Sequence, residues 1–246
     1  MNAVAGLFLI AFATVTARDL PSNFKTCQRS DPQFNECLSR AVADAVAKLG
    51  QGSRTFRILP LEPLKVNSIS IGSTEGSVSL KQEYQNVELH GLTRGLEPRK
   101  LTTDWDRNIF VYDSYHPKID FVGNYKIDGK VLLLPIRGNG HSNITMLHLK
   151  TRSTMYFEKY EKDGEAYMKI KQFNVKFSPE KVLLRFDNLF DGDPVLAKPM
   201  ENFISENSDL LFKELQLPYE KSFGLVFAQI GNELFNRVPV NKIFPE

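Results

Sequence analysis

Between Ile119 and Gly140, apolar and polar side chains alternate on both sides of an Asp128-Gly129 dipeptide, the pattern of a β-hairpin. Asp-Gly tolerates the positive φ angles of a two-residue type I′ turn. Centring the turn there pairs Ile127 with Lys130, Tyr125 with Leu132, Gly123 with Leu134 and Phe121 with Ile136. Directly paired residues share a sheet face. This register predicts one apolar face of Phe121, Tyr125, Ile127, Leu132, Leu134 and Ile136. The other face, with Asn124, Lys126, Val131, Leu133 and Pro135, is mixed. Asp163-Gly164 repeats the device, pairing Glu161 with Ala166, Lys159 with Met168 and Phe157 with Ile170. Its inner face is then Met155, Phe157, Met168 and Ile170, and its outer face carries Tyr156, Glu158, Tyr160, Tyr167 and Lys169. Two long amphipathic hairpins predict a large antiparallel sheet that buries one side.

Upstream of the sheet the period is helical. Leu38, Ala41, Val42, Ala45, Val46 and Leu49 recur at helix spacing, with Asp31-Pro32 or Asn35 to start the helix and Gly50 to stop it. From Arg54 to Phe186 the chain reads almost wholly as strand. Val78, Leu80 and Tyr84 alternate in one phase and Val87 and Leu89 in the other, which predicts a bulge near Gln85-Asn86. Ile109–Tyr112 and Leu147–Leu149 are further strands to which the pattern assigns no inner face. Val182, Leu184 and Phe186 close the β region. Asp193-Pro194 then suits a helix cap and first turn. Val195, Leu196, Met200, Phe203 and Ile204 form the first apolar stripe of that helix, followed by Leu210, Leu211 and Leu215. A kink is expected at Pro218, after which Phe223, Val226, Phe227, Ile230 and Leu234 continue the stripe as far as Pro239. With no repeat and no linker, the order of helix, many strands and long or broken C-terminal helix predicts a single α+β domain.

Residues 1–17 carry no charged side chain and end Val15-Thr16-Ala17, small residues of the kind a signal peptidase cuts after. A secreted mature chain is therefore expected to begin at Arg18, with residues 18–246 as one domain. The apolar run is too short for a membrane span. Cys27 and Cys37 are the only cysteines, and in a secreted chain so close a pair is expected to form a disulfide. The net charge is +2 with basic residues scattered among acids, which gives no electrostatic footprint for nucleic acid. Asn143-Ile144-Thr145 is an N-glycosylation sequon, expected on an outer loop.

A series of short motifs runs through the chain in order. They are the Cys27 and Cys37 pair; Gly123-x-Tyr125, then Leu-Leu-Pro135-Ile-x-Gly138-x-Gly140; and Asn188-Leu-Phe190-x-Gly192-Asp193. Phe203-Ile204-x-Glu206-Asn207 and Val238-Pro239-Val240-x-x-Ile243-Phe244 complete the series. In this order and spacing the chain resembles the takeout and haemolymph juvenile hormone-binding protein family of insects, over essentially all of its expected mature length. The resemblance implies a long C-terminal helix wrapped by a highly curved antiparallel β-sheet enclosing a hydrophobic tunnel, as in TULIP-like lipid-binding wraps. It also implies a secreted carrier of a small hydrophobic ligand: a juvenile hormone-like terpenoid, a fatty-acid-like molecule or another lipophile. Juvenile hormone-binding proteins proper resemble two-disulfide proteins. The absence of any cysteine after Cys37 brings this chain nearer the takeout-like branch.

On that reading Phe121, Tyr125, Leu132, Leu134, Phe157, Met168, Phe203 and Phe227 are expected to line the tunnel, each chosen by its assigned face. No catalytic residue, metal or cofactor is expected. The sequence has no Gly-x-Ser-x-Gly elbow, His-Glu-x-x-His helix or Gly-x-x-x-x-Gly-Lys loop, and His90, His116, His141 and His148 are dispersed. On a regular strand His141 and His148 fall on opposite faces, which argues against a metal pair. Gly138-Asn139-Gly140 has no helix after it and reads as a bend in a curved strand; Asp193 reads as a helix cap, not a calcium ligand. The alternative function is a lipid-transfer protein acting at membrane surfaces. No Lys/Arg-rich amphipathic helix supports electrostatic docking there. The sequence names no receptor.

Overall fold

Two very long strands carry the architecture of the computed structural model, which describes residues 18–73, 78–131 and 134–246. Strand β4 (Ile109–Val131) and strand β5 (Leu134–Lys162) form a ladder running from Ile109↔Tyr156 to Val131↔Leu134. Each serves two further strands along its length. β3 (Glu97–Asp104) pairs with the first half of β4, and β2 (Val78–His90) with the second. β7 (Lys181–Phe186) pairs with the early part of β5, and β6 (Glu165–Ser178) with the late part. β1 (Leu64–Ser73) adds to β2, giving an antiparallel sheet ordered β1-β2-β4-β5-β6 with β3 and β7 beside that path.

Helix α3 (Ser208–Phe235) packs against β1 and β2 from one flank of this sheet and against β6 and β7 from the other. One helix touches both flanks only if the sheet curls around it. β1 and β6 are not hydrogen-bonded to each other, so the curl stays open. Helix α1 (Phe34–Lys48) lies against β3, α2 (Pro194–Glu206) against β7, and the short α4 (Val240–Ile243) against β6.

Side chains of α3 fasten it to the sheet backbone. Asp209 accepts from Val182 N (2.7 Å), and Glu220 accepts from Phe177 N (2.8 Å). Asn232 accepts from Ile170 N (2.7 Å) and donates to Ile170 O (2.9 Å). This lies at the register shift opposite Tyr156 and Phe157, where the β5–β6 ladder loses a step. At Gly224 a Cβ would stand 2.3 Å from the Phe173 carbonyl oxygen, so only glycine lets α3 cross β6 this closely.

The second hairpin forms as predicted. Asp163 and Gly164 both have positive φ, and Phe157 pairs with Ile170, Lys159 with Met168 and Glu161 with Ala166. So does the bulge between Gln85 and Glu88, with Asn86 at φ +52°. The first hairpin is displaced from its expected register. Asp128 and Gly129 lie inside β4, opposite Arg137 and Ile136, and the strands pair as far as Val131↔Leu134. Gly129 serves β2 instead of a turn: a Cβ there would meet the Ser79 carbonyl oxygen at 2.1 Å. Tyr125 therefore pairs with Gly140 and Ile127 with Gly138, and Val131, expected on the mixed face, is buried.

Four smaller expectations are also corrected. Tyr167, expected outside, is buried and stacks on Tyr160, whose hydroxyl donates to Asn236 Oδ1 (3.2 Å) in the C-terminal segment covering β6. Val195 and Leu196 are exposed, because α2 turns Ala197, Met200 and Ile204 inward. The C-terminal helix runs unbroken through Pro218; the break falls at Asn207, whose side chain donates to Phe203 O (2.8 Å). Helix α1 continues past Gly50 in a 3₁₀ turn and stops at Gly52, φ +77°. The expected leader, residues 1–17, lies outside the described residues.

Candidate functional site

Between α1, the second half of α3 and the inner faces of β3 to β6 lies a cavity of about 320 Å³. Its α1 wall is the stripe Leu38, Val42, Ala45 and Val46, and its α3 wall is Phe223, Phe227, Ile230 and Leu234. These are the i, i+3, i+4 faces that the sequence pattern turns toward the sheet. Phe110 and Phe157 close one end with Phe235 and Phe244. Their rings meet at 4.9 Å (Phe110–Phe157), 5.1 Å (Phe157–Phe235) and 5.8 Å (Phe110–Phe244) between centroids. Trp105 packs edge-on behind them, 5.3 Å from Phe244.

At the other end the rings of Tyr84, Phe121, Tyr219 and Phe223 interlock as a partition. Phe121 sits 4.9, 6.1 and 5.9 Å from Tyr84, Tyr219 and Phe223, each nearly perpendicular. Tyr84 Oη donates to Gln82 Oε1 (2.7 Å), and the Tyr219 hydroxyl lies 2.7 Å from Tyr84 Oη and 3.1 Å from the same Gln82 oxygen. Burial pushes both phenols above their ordinary range, so both are neutral. Beyond the partition lies a small cavity of about 30 Å³, among Leu80, Ile136, Leu184, Ile204 and Phe212.

One strip of the large cavity's wall is polar. Tyr112, Ser114 and His116 alternate inward along β4, and Ser153 and Thr151 face them from β5 in the pairs Tyr112↔Ser153 and Ser114↔Thr151. Ser114 Oγ lies 2.6 Å from Thr151 Oγ1 and 3.4 Å from His116 Nε2. Tyr112 Oη and His116 Nδ1 are enclosed, with almost no accessible surface of their own, and neither lies within hydrogen-bond distance of a partner among the described residues. Burial raises the Tyr112 phenol to about 12. It lowers the His116 ring to about 4, against a smaller opposing contribution from a hydrogen bond of the ring to the Gly91 backbone. Both side chains are therefore uncharged near neutral pH. Among the described lining residues none is Asp, Glu, Lys or Arg.

Of the residues expected to line a tunnel, Phe157 and Phe227 stand in the cavity wall. Phe121 belongs to the partition. Tyr125 is buried on the far side of it, packed on Phe186 (5.0 Å) and donating to Asp187 O (2.6 Å). Met168 is buried and Phe203 half-buried, both outside the cavity wall. Leu134, at the tip of the long hairpin, is 47% exposed, and Leu132 lies outside the described residues. The polar strip escaped the sequence reading. Its signal was the alternation Phe110, Tyr112, Ser114, His116, in a strand whose inner face the pattern left unassigned.

Cys27 and Cys37 are joined in a disulfide that ties the N-terminal segment to α1. Asn143 sits not in a loop but in β5, paired with Val122 and Arg185 and half-buried on the outer face. Asp193 caps α2 through Val195 N (2.9 Å). His148, at φ +51°, breaks the regular alternation of β5, and it and His141 are both exposed on the outer face. Among the described residues no group of three His, Cys, Asp or Glu is placed to hold a metal ion, and no helix is long and apolar enough to cross a membrane.

A family model described as haemolymph juvenile hormone binding protein matches residues 7–245. The circadian clock-controlled protein daywake of Drosophila yakuba is 23% identical over 244 residues, covering 93% of this chain and 89% of that protein. Daywake of Drosophila melanogaster is 22% identical over 233 residues, covering 91% and 88%. The crystal structure of Epiphyas postvittana Takeout 1 superposes with a TM-score of 0.78 at 18% identity, covering 90% of this chain and 99% of that one, and shows the same fold.

Proposed function

The chain belongs to the haemolymph juvenile hormone-binding protein family, a family of binding proteins and not enzymes, and from that premise we propose that it is a secreted carrier holding one small lipophile in the large cavity. The observation that carries this reading is the 320 Å³ space walled by α1, α3 and the sheet. Its volume lies at the lower end of the roughly 300–1,000 Å³ range of small-molecule pockets. That suits a single terpenoid or alkyl chain better than a two-chain phospholipid, and so favours a carrier over a lipid-transfer protein at membranes.

The mechanism is desolvation. An apolar chain leaving water for this wall gains roughly 25 cal/mol per Å² of surface buried, and its binding carries a negative heat-capacity change. Phe157 and Phe227 supply part of the wall, and the Phe121 partition bounds it. The protein holds its ligand without covalent chemistry.

Organic extraction and mass spectrometry of the protein, secreted from insect cells and purified, test the reading. One dominant apolar compound in near-stoichiometric amount supports the carrier. A spread of phospholipids favours lipid transfer, and an empty protein that also refuses added lipophiles overturns both. N-terminal sequencing of the same sample checks cleavage before Arg18. A glycan at Asn143 would stand on the outer face of β5, and a mobility shift on deglycosylation reads its occupancy.

A further inference from the structure

A single thickness of chain, residues 91–96, separates part of the large cavity from solvent. β2 pairs with β4 as far as His90↔Asp120 and β3 from Glu97↔Tyr115, and these residues cross between the two strands outside either ladder. Leu92 and Leu96 stand in the cavity wall, while Arg94 and Gly95 between them are exposed. We propose that this segment is a hinged flap over the ligand's way in and out, and that the carboxylate of Glu62 is the clasp that holds it shut. The proposal rests on the carrier reading and adds to it a route and a residue that sets the rate of exchange.

Three observations carry it. First, the clasp is a built site. The Glu62 side chain is only 6% exposed, and it accepts from Gly91 N (3.0 and 3.2 Å to its two oxygens), Thr93 N (3.3 Å) and Thr93 Oγ1 (3.1 Å). Arg94 Nε lies 3.7 Å away. A buried carboxylate requires such donors, and bonds to a charged acceptor are stronger than those between neutral groups. Second, the clasp is anchored away from the flap. Leu61 N donates to Leu49 O (3.2 Å) and Glu62 N to Gly50 O (3.2 Å), so Glu62 is fixed to the end of α1 and reaches across.

Third, the feet of the flap are glycines. Gly91 (φ +90°) and Gly95 (φ +69°) hold conformations that other residues rarely adopt. A Cβ at either would meet β4, at Lys118 O (2.2 Å) and Pro117 Cγ (3.0 Å). Between these feet the backbone donors of Gly91 and Thr93 are both given to one side chain. Releasing that side chain lets Leu92 and Leu96 swing off the cavity without breaking a rung of the sheet.

Stopped-flow mixing of the mature protein with a fluorescent apolar probe reads the entry rate, and a chase with excess non-fluorescent alkene reads the exit rate. Glu62→Gln sets an amide NH₂ against backbone donors. Entry and exit are then both expected to quicken about tenfold, with Kd within about twofold of the parent, because the clasp is lost equally from empty and filled protein. The opposite variant locks the flap. A Cβ at Gly50 would lie 3.8 Å from Thr93 Cβ, the separation a disulfide needs, so Gly50→Cys with Thr93→Cys bridges the end of α1 to the flap. Both rates are expected to fall at least about tenfold in the bridged protein and to recover on mild reduction, while the parent given the same reductant is unchanged. Bridged protein that exchanges at the parental rate overturns the flap and leaves the carrier standing. So does Glu62→Gln protein that folds and exchanges no faster; if that variant does not fold, the bridged pair decides alone. A parent protein that takes up no probe overturns the carrier reading, and the flap with it.

Discussion

One helix and one sheet build both ends of this molecule, yet one end is full and the other holds a cavity. At the full end α2, β7 and the first half of α3 close on Leu80, Phe186, Ile204, Phe212 and Tyr219, leaving about 30 Å³. At the other end α1, β3 and the second half of α3 leave about 320 Å³. Both ends are mainly apolar, but the cavity end includes small side chains in its wall. Ala45 and Gly231 stand where the helices face the cavity, and Ser114, Thr151 and Ser153 occupy inward positions of the sheet. An internal site here is a local shortage of atoms, which a search for the greasiest face does not find.

Breaking the partition between the ends is expected to have the largest effect. Phe121→Ala removes the ring that three other aromatics meet and should destabilise by about 3–5 kcal/mol, measured by urea unfolding. It should also let longer alkyl chains bind, since the two spaces then join. A cost near zero would mean that the ring is not a packed divider.

An acid titration should separate the ends next. His116 has a folded pKa of about 4, below the ordinary 6.5, so between those values the unfolded chain binds a proton that the folded one refuses. Stability on this account is full above pH 6.5 and falls as the pH drops toward 4, by up to about 3 kcal/mol. His116→Leu should flatten that part of the profile, while a profile unchanged by the variant would show that the ring is not buried neutral. Removing the disulfide with Cys27→Ser and Cys37→Ser should lower stability by about 2–3 kcal/mol, read as a lower urea midpoint.

The subtlest test is a matched pair of enlargements. Ala197→Leu in the full end should overpack and destabilise by about 1–3 kcal/mol. Ala45→Leu in the cavity wall should leave stability within about 1 kcal/mol of the parent and weaken binding of the apolar probe about tenfold. Equal destabilisation by the two would erase the distinction between the ends.

The sequence made the fold legible and the site only partly so. The Asp163-Gly164 turn, the bulge at Asn86 and the Asp193 cap are set by local chemistry, and the structure has them where the pattern puts them. Asp128-Gly129 carries an equally good turn signal but is spent on the close approach of β2, a contact between distant residues that no local pattern encodes. A turn centred on Asp128-Gly129 puts Leu134 on the inner face, whereas the longer ladder leaves it exposed at the hairpin tip. The α1 stripe is legible as a helix face, but whether such a face meets side chains or empty space depends on what lies opposite.

The seam along α3, where β1 and β6 face each other without pairing, gives the wrap a mechanical property. A closed barrel has a girth fixed by its ladder, and widening it means breaking backbone hydrogen bonds. Here α3 is hydrogen-bonded to β6 and β7 and only packs against β1, so the girth can yield on the β1 flank in small steps, each losing a few dispersion contacts. Tolerance of ligand bulk should therefore be graded rather than abrupt. The sheet acts as a sleeve whose fit is set by its contents.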